Sequence, residues 1–550
     1  MFSNTRLFGL IVMVAIAFGF TDRVYQQADD PEGGFHVPPE IEQAMEEWPL
    51  ANRDYNNSRA TFDANINASN VHLLDVAWTM DITGIGPFGG AASNPLITNG
   101  VVYFQDLASN VFALDFESGE VLWSQMYNAG VIGPNGPGIG DGKLFTSAST
   151  DEIVALDLAT GEELWSNSVG PEKITGTNQP VVFDGVVYFG TQVGNGGEGD
   201  EQYLGYDGGR SGYVLALDPD SGEIQWEFQV VEEGFWGNPE LNSGGGLWYP
   251  PGIDTETGMT FWGTGNPAPF PGTVDFPNAT SRPGPNLYTN TMLAFEHPGG
   301  ELLWYNQVRP HDLFDLDFQL SPILATTTID DEDREIVIGS GKLGVVYAFD
   351  RATGETLWGT EVGVHQNDDV EEIPPDTVLF VYPGQLGGVE TPMSMADGVV
   401  YVLVGNNGTP YTQDGWGAET GSESVPRQDG RMSLREGTSE VIAIDIATGE
   451  IQWITEFDTL AYGGTTVVND LVFTATMDGR IYALLREDGS IVWEYNAPGG
   501  IIAWPAVAGD TYIIPVGIGS RPVLLALRLQ AESAVPTPDQ QRTPVATEAN

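Results

Sequence analysis

The strongest constraint on this chain is a short hydrophobic sequence that recurs seven times and always ends in tryptophan. It reads Val-Phe-Ala-Leu-Asp-Phe-Glu-Ser-Gly-Glu-Val-Leu-Trp at 111–123 and Ile-Val-Ala-Leu-Asp-Leu-Ala-Thr-Gly-Glu-Glu-Leu-Trp at 153–165. The other copies end at Trp226, Trp304, Trp358, Trp453 and Trp493. Each copy predicts two strands joined by a tight turn, where the Ser-Gly or Thr-Gly pair accommodates positive φ. Recurrence at intervals of about 40 residues or more predicts a repeat architecture.

Further short strand patterns lie between the copies, for example at 100–104, 185–189 and 398–402. Each repeat therefore has about four antiparallel strands, the content of one propeller blade. An eighth copy, at 524–528, lacks its tryptophan, and the run at 73–78, which ends in Trp78, predicts the missing strand. Together these patterns predict an all-β fold, an eight-bladed β-propeller with tryptophan-docking repeats. Closure by N-terminal residues would leave no open sheet edge.

The composition excludes several classes of function. The formal net charge is −57, with only 20 lysines and arginines against 77 acidic residues, which argues against nucleic-acid partners and anionic membrane surfaces. Such acidity favours a salt-rich habitat, a basic redox partner or simple surface solvation. The chain has no cysteine, which excludes disulfides, thiolate zinc sites, iron–sulfur clusters and a haem attached through Cys-x-x-Cys-His.

The chain divides into four predicted parts. Residues 1–22 contain an apolar run of about 14 residues, which predicts a signal peptide or an N-terminal anchor. Residues 23–53 form an N-terminal spacer, 54–530 the propeller, and 531–550 a disordered Pro/Thr-rich tail. We therefore expect a periplasmic or otherwise extracytoplasmic protein, with membrane contact only through the possible anchor.

Four segments depart from the repeat and resemble the pyrroloquinoline quinone (PQQ)-dependent alcohol dehydrogenases, the family that includes methanol dehydrogenase. They are Trp-Tyr-Pro-Pro-Gly-Ile-Asp at 248–254, Phe-Trp-Gly-Thr-Gly-Asn-Pro-Ala-Pro-Phe at 261–270, Arg-Pro-Gly-Pro-Asn-Leu-Tyr-Thr at 282–289 and Gln-Val-Arg-Pro-His-Asp-Leu-Phe-Asp-Leu-Asp-Phe at 307–318. The resemblance runs from about residue 54 to residue 529. It implies an alcohol substrate, PQQ, and a calcium or lanthanide ion.

The resemblance also implies roles for individual residues. Trp248 matches the tryptophan beneath the quinone, and indole is a large flat apolar platform. Asn266 matches the amide that ligates the ion, which prefers oxygen ligands. Asp315 matches a carboxylate that ligates the ion and takes the substrate's hydroxyl proton. Asp317 matches a carboxylate associated with lanthanide use, since a trivalent ion favours one more anionic ligand. Lys342 matches the basic residue that contacts the quinone oxygens.

The remaining matches are looser. Gly463 and Gly464 resemble a Trp-Gly-Gly segment near the cofactor's carboxylates, with Tyr462 in place of the tryptophan. Thr177 resembles a hydroxyl donor to those carboxylates, and Asn406 an amide at the quinone edge. A turn role is the alternative for both.

Three departures from the family pattern stand out. The paired cysteines that cover the second face of the quinone are absent, and Ala129-Gly130 falls nearest to their place. A glutamate expected before Asn94-Pro95 is missing. The glutamate that ligates the metal has no clear counterpart. Counting back from Arg210 gives Asp207, with Glu198 and Glu201 as alternatives.

The sequence thus predicts an exported quinoprotein that oxidises an alcohol or related hydroxyl compound. Since the chain carries no haem motif, electrons would leave to a soluble cytochrome c or another separate acceptor. The acidic surface of this protein would attract an acceptor that is basic. Two alternatives stay open. One is a propeller used only as a binding scaffold, and the other is a degenerate quinoprotein without cofactor.

Overall fold

The computed structural model describes residues 34–170, 173–193, 211–232, 234, 236–416 and 437–531. Its described residues form eight blades, seven of them four-stranded antiparallel sheets and one a four-stranded antiparallel sheet with a fifth, parallel strand added at its edge, so the predicted eight-bladed propeller is confirmed. In blades 1 and 7, for example, the first strand is buried and the fourth is exposed at several positions. This gradient places the hydrophobic core between the blades and toward the axis of the ring.

The strands of blades 1 to 4 are, in order: Leu96–Thr98, Val101–Gln105, Val111–Asp115 and Val121–Gln125; Gly138–Gly140, Lys143–Ser147, Glu152–Asp157 and Glu163–Ser168; Val181–Phe183, Val186–Gly190, Tyr213–Leu217 and Ile224–Gln229; Gly252–Ile253, Thr260–Gly263, Thr291–Phe295 and Leu302–Gln307. Those of blades 5 to 8 are: Ile323–Ile329, Glu332–Gly339, Val345–Asp350 and Thr356–Glu361; Ser394–Ala396, Val399–Asn406, Thr438–Asp445 and Ile451–Phe457; Thr466–Val468, Leu471–Ala475, Arg480–Leu485 and Ile491–Asn496; Ala506–Ala508, Thr511–Val516, Val523–Leu529 and Leu74–Asp81.

Short elements decorate the ring. A helix spans Pro39–Glu42, and 3₁₀ turns span Val71–Leu73 and Pro277–Ala279. The remaining strands are Ala60–Thr61, Lys173–Ile174 with Gln192–Val193, Ser243–Gly244 with Pro267–Ala268, and Leu379–Val381 with Thr409–Thr412 and Gly415–Trp416. Across the described residues, no helix is both long and apolar enough to cross a membrane.

Blade 8 is built from both ends of the chain. Its outer strand, Leu74–Asp81, pairs antiparallel with Val523–Leu529, and Trp78 lies opposite Ala526. A second N-terminal strand, Ala60–Thr61, adds in parallel to the first strand of blade 7. The predicted closure by N-terminal residues is therefore confirmed.

Trp78 and six of the seven repeat tryptophans dock on the next blade. The indole N–H groups of seven tryptophans donate to backbone carbonyls of the following blade at 2.7–3.2 Å; the donors are Trp78, Trp123, Trp165, Trp226, Trp304, Trp358 and Trp453. The turn glycine of the following blade lies on the indole face, so a Cβ there would meet the ring at 2.4–2.8 Å; these glycines are Gly119, Gly161, Gly222, Gly300, Gly354, Gly449 and Gly489. The glycine thus serves the blade interface as well as the turn.

The segment at 34–53 differs from the predicted spacer. Ile41 and Trp48 are fully buried against the propeller, and the backbone of Trp48 pairs with that of Ile97 in blade 1. Arg59, also fully buried, donates to the carbonyls of Thr465 and Pro505. Ile41 and Trp48 pack against the ring because burying a large apolar side chain is more favourable than leaving it in water.

Candidate active site

The loop that follows blade 4 carries the acidic segment 312–317. Asp312 is fully buried, and its carboxylate accepts the backbone N–H groups of Phe314 at 2.9 Å and Leu316 at 2.7 Å. Arg282 donates to the Asp312 carbonyl at 2.6 Å. Between the two anchored amides, Asp315 has φ 62°, a left-handed conformation that is uncommon outside glycine. These bonds fix the backbone from which the Asp315 side chain projects.

Asp317 and Asn266 meet across two loops. The backbone N–H of Asn266 donates to Asp317 Oδ1, and a bridge between Thr264 and Phe318 aligns the two segments. A Cβ at Gly265 would lie 2.9 Å from Asp317 Oδ1. The second glycine of the Gly-Thr-Gly-Asn sequence, Gly265, is thus explained by its close approach to Asp317, since a side chain at position 265 would displace the carboxylate.

Lys342 joins this pair to the predicted floor of the site. Its Nζ lies 3.1 Å from Asp315 Oδ2, 2.7 Å from Asp317 Oδ2 and 4.6 Å from the centroid of the Trp248 ring. An ammonium at this distance from an indole face makes a cation–π contact. Trp248, Asn266, Asp315, Asp317 and Lys342, which are far apart in sequence, therefore converge in one cluster.

Burial and mutual charge control the titration of this cluster. Burial raises the pKa of Asp315 well above its ordinary range; Lys342 opposes this rise and Asp317 adds to it. Burial also raises the pKa of Asp317, against the effect of Lys342. Burial alone would lower the pKa of Lys342, but Asp315 and Asp317 raise it. The Lys342 ammonium therefore stays charged, and its single positive charge offsets only part of the negative charge of Asp315 and Asp317.

A further acid, Glu390, belongs to the same cluster and was missed in the sequence. Burial raises its pKa to about 8, while the charge of Lys342 lowers it. Its Oε1 is buried without a hydrogen-bond partner, although the residue as a whole keeps some accessible surface. The one sequence feature that could have indicated Glu390 is its position. It stands just before Thr391-Pro392 and the first strand of blade 6, as Trp248 stands just before Pro250-Pro251 and the first strand of blade 4.

The looser predictions have mixed placements. Thr177 is buried with an unpaired hydroxyl. A Cβ on Gly464 would lie 3.2 Å from the Pro392 carbonyl oxygen, which brings the segment of Gly463 and Gly464 next to the blade 6 loop, and Tyr462 donates to the Leu386 carbonyl at 2.6 Å. Gly464 and Tyr462 therefore adjoin the loop that carries Glu390.

Asn406 is not brought into the cluster. Its side-chain oxygen accepts the N–H of Val364 at 2.9 Å, and its amide bonds the Glu440 carboxylate. Asn406 is the last residue of the strand Val399–Asn406, and these two bonds fix its side chain there. The geometry therefore does not support the predicted contact with the quinone. Asp207, Glu198 and Glu201 lie outside the described residues.

The donor set fits a hard cation. Three acids, Asp315, Asp317 and Glu390, act on the charge of one ammonium, and Glu390 Oε1 is buried without a hydrogen-bond partner. Excess negative charge carried by carboxylate oxygens favours a multivalent ion with oxygen ligands. Within the part of the chain that the structure describes, no three His, Cys, Asp or Glu side chains form a complete metal cage.

The surroundings of Trp248 fit a planar, acidic cofactor. Beside Thr177, both polar atoms of the Asn178 amide are buried without partners, as is Gln192 Oε1. A Cβ on Gly246 would lie 2.9 Å from Trp248 Nε1 and 3.3 Å from Gln192 Cγ, so this polar edge adjoins the indole. Buried polar groups without partners are rare in native proteins and indicate a ligand or water.

Comparison with known proteins agrees with the fold. A profile for the glucose/ethanol/alcohol dehydrogenase β-propeller domain matches residues 167–377, and one for the outer membrane protein assembly factor BamB matches 69–245 and 437–519. A quinohemoprotein alcohol dehydrogenase, ADH IIB of Pseudomonas putida, is 26% identical over 86% of this chain and 73% of its own. The quinohemoprotein alcohol dehydrogenase of Comamonas testosteroni superimposes with a TM-score of 0.75 at 22% identity, over 93% of this chain and 85% of its own. A europium-containing methanol dehydrogenase gives 0.72 at 21% identity, over 88% and 92%.

The boundaries of the two profiles are informative. The dehydrogenase profile includes all five clustered residues that the sequence predicted, at 248, 266, 315, 317 and 342, whereas the BamB profile omits 246–436 and therefore all of them. The described ring is an eight-bladed propeller, and its superposition on solved dehydrogenases supports that fold. More particularly, the chain is homologous to PQQ-dependent alcohol dehydrogenases, which are oxidoreductases, so the resemblance found in the sequence is confirmed.

Proposed function

We propose that this protein is an exported dehydrogenase that oxidises an alcohol, or a related hydroxyl compound, to the carbonyl with PQQ and a calcium or lanthanide ion. The observation that carries the proposal is the convergence of Asp315 and Asp317 on Lys342, whose ammonium lies over the face of Trp248. A propeller that serves only as a scaffold has no need for buried charges at this place, since each costs desolvation energy.

The cofactor-binding residues follow from the buried polar edge. Trp248 would form the floor under the quinone, and the unpaired Thr177 hydroxyl and Asn178 amide would bind its carboxylates, near Gly463 and Gly464. Val131 and Tyr462, which share one apolar cluster, would cover the second face. They replace the cysteine pair of the family without any thiol chemistry.

The ion would be held by Asn266, Asp315 and Asp317 together with Asp207, with Glu198 or Glu201 as alternatives to Asp207. When bound, PQQ accepts two electrons and the ion polarises the reacting carbonyl as a Lewis acid. Asp317 supports a trivalent ion, because its negative charge would offset the additional positive charge that such an ion carries relative to a divalent one.

Asp315 would act as the general base. Its carboxylate takes the hydroxyl proton of the alcohol while hydride leaves the carbon. The positive charge of Lys342 opposes the rise in the pKa of Asp315 that burial causes, and so favours the carboxylate form that can act as a base. Lys342 holds a positive charge next to the oxygens of the reduced cofactor.

Electrons would leave to a separate acceptor, a soluble cytochrome c or a similar carrier. The chain has no cysteine with which to attach a haem of its own. The net charge of −57 would attract a basic partner at low ionic strength.

Reconstitution tests this function. Protein loaded with PQQ and either Ca²⁺ or La³⁺ is expected to reduce an artificial dye with alcohols as donors. Asp315→Ala should lower turnover by about 10²–10⁴-fold, the usual contribution of a general base, while the absorption spectrum shows PQQ still bound. No dye reduction by the wild type across a broad alcohol panel with either ion would contradict the proposal.

The scaffold function is the second candidate, favoured by the BamB profile over residues 69–245 and 437–519. It predicts no PQQ binding and no loss of function in Asp315→Ala. The same spectra therefore distinguish the two candidates.

A further inference from the structure

Residues 48–60, here called the hub segment, run along the inner edges of the blades. The first strand of a blade is a sheet edge, so its outward N–H groups need partners from elsewhere. The hub segment supplies them at one equivalent position, the second residue of the strand, in blades 1, 4, 5, 6 and 7. Backbone carbonyls of Trp48, Tyr55, Asn56, Ser58 and Arg59 accept the N–H groups of Ile97, Ile253, Leu324, Met395 and Val467, respectively, at 2.8–3.0 Å.

Within this segment, Asn57 links two blades through its side chain. Its Nδ2 donates to the carbonyl of Pro251 at 3.0 Å and to that of Pro322 at 2.9 Å, and these prolines stand just before the first strands of blades 4 and 5. Its Oδ1 accepts Asn52 Nδ2 at 3.0 Å, and the same Nδ2 donates to Ser321 Oγ at 3.0 Å. The buried Asn57 amide is therefore held at both ends and cannot turn without losing hydrogen bonds.

The first of these bonds reaches the predicted floor of the quinone site. Pro251 ends the sequence Trp-Tyr-Pro-Pro at 248–251, and two successive prolines, whose φ angles are fixed, join Pro251 stiffly to the residues before it. A small cavity is lined by Asn52 of the hub segment and by Trp248 and Tyr249 of the loop. The hub segment therefore adjoins the floor.

The second bond reaches the loop that carries the acids. Pro322 comes five residues after Asp317. Between them, the backbone N–H of Leu320 donates at 3.2 Å to the carbonyl of Ser340, two residues before Lys342. The Asn57 amide thus joins the loop between blades 3 and 4 to the loop between blades 4 and 5.

We propose that Asn57 is a positioning residue for the quinone site: its amide holds the loop of Trp248 in place against the loop of Asp315 and Asp317. This role rests on the proposed function, because it concerns the spacing between the floor of the cofactor and the acids at its rim. Asn57 would act only through the two loops. A change in their spacing would lower the fraction of molecules in which the site is assembled, and so lower the apparent affinity for PQQ.

Hydrogen exchange in the cofactor-free protein tests the first part of this role. Asn57→Gly removes the amide but keeps the backbone, because φ at position 57 is 58° and glycine adopts that angle without strain. Amides within 247–253 and 317–324 should exchange about tenfold faster than in the wild type, since both loops lose their shared donor. Mass spectrometry of peptides from these two regions measures the change.

Asn469→Gly is the matched control. Asn469 also has a left-handed φ, 54°, and its Nδ2 also donates to two backbone carbonyls, those of Ala64 and Ile66, both at 2.7 Å. It lies in a turn of blade 7, between the strands Thr466–Val468 and Leu471–Ala475. The same kind of bond is therefore lost, but exchange in 247–253 and 317–324 should stay as in the wild type.

Equilibrium titration with PQQ in the presence of Ca²⁺ tests the second part. Asn57→Gly should weaken PQQ binding by about tenfold, through the lower fraction of assembled site, whereas Asn469→Gly should bind as the wild type does. Ser321→Ala, which removes only one acceptor of Asn52, is a milder variant. It should change exchange and PQQ affinity in the same direction by about two- to threefold, and it decides the matter if Asn57→Gly does not fold.

Unchanged exchange in both loops, or an equal increase in Asn469→Gly, would overturn the positioning role. Faster exchange together with wild-type PQQ affinity would also overturn it, because the spacing of the loops would then be irrelevant to the cofactor. If the wild type bound no PQQ, the proposed function itself would fail and the role of Asn57 with it. That result is recognisable, because the wild-type titration alone shows it.

Discussion

Asp312, Asp315 and Asp317 are the same residue type within six positions of one loop, yet their hydrogen bonds give them different tasks. Asp312 accepts two backbone N–H groups of its own loop, Asp317 accepts the N–H of Asn266, and Asp315 faces Lys342. The first shapes the loop, and the other two are available to an ion and a substrate. At this scale the partners of a side chain, more than its identity, decide what it does.

The support of this loop is predicted to depend on pH through His365 and Asp368. Arg309 pairs with Asp312 at 3.2 Å and also donates to the Asp368 carbonyl. The hydrogen bond to Asp368 raises the pKa of His365 above its ordinary 6.5. Burial alone would raise the pKa of Asp368, but the bond from His365 lowers it below 3.8.

The sign follows from these two directions. The raised pKa of His365 gives stability that is complete below pH 6.5 and lost as pH rises through the folded-state pKa. The lowered pKa of Asp368 gives stability that is complete above 3.8 and lost as pH falls. We expect His365→Gln to lower the free energy of unfolding most between these values, and less at higher pH. Urea titrations across this range measure it, with His72→Gln at an exposed site as control; a pH-independent difference would refute the assignment.

At the scale of elements, the repeated turn and the repeated tryptophan form one structural unit. The turn glycine of one blade lies against the indole of the preceding blade, and the indole N–H donates to the same turn. The Thr-Gly turn in the sequence was correctly predicted from positive φ. The contact between this turn and the neighbouring tryptophan was not predicted, because a local sequence pattern does not show which blade a turn will touch.

Gly354→Ala is expected to destabilise the protein by about 2–4 kcal/mol, since it adds left-handed strain to a collision with Trp304. A Cβ at position 354, where φ is 73°, would lie 2.4 Å from that ring. Gly398 is the matched control, because its φ is 78° and a Cβ there meets nothing within 4 Å. Gly398→Ala should cost only about 1–2 kcal/mol. Equal losses in urea unfolding would show that the indole contact contributes nothing.

At the scale of the whole molecule, blade 8 differs from the other seven. Its outer strand comes from the N-terminal side, and no short turn connects Leu74–Asp81 to Val523–Leu529. The ring is therefore held shut by noncovalent pairing at this one place. If that strand leaves, the edge of Val523–Leu529 becomes open to other chains.

Trp78→Ala should therefore do more than lower stability. Loss of a buried tryptophan costs about 3–5 kcal/mol, and here it should also release the closing strand. We expect protease cleavage near 74–81 and self-association on size-exclusion chromatography. Trp123→Ala is the control, because its strand, Val121–Gln125, is joined to its neighbour by a short turn. The same cleavage and association in both variants would argue against a special role for closure.

Local sequence patterns are enough to predict the ring, and conspicuous motifs predict most residues of the candidate site. Repeat spacing gave eight blades and the closing strand, because alternating burial and turn chemistry are local properties that recur in each copy. Conspicuous motifs pointed to Trp248, Asn266, Asp315, Asp317 and Lys342. Only the tertiary structure decided that Lys342 pairs with both aspartates, that Glu390 joins them and that Asn406 does not. Those facts depend on where loops of different blades meet, and the distance between two loops around a closed ring is set by packing, which no single segment encodes.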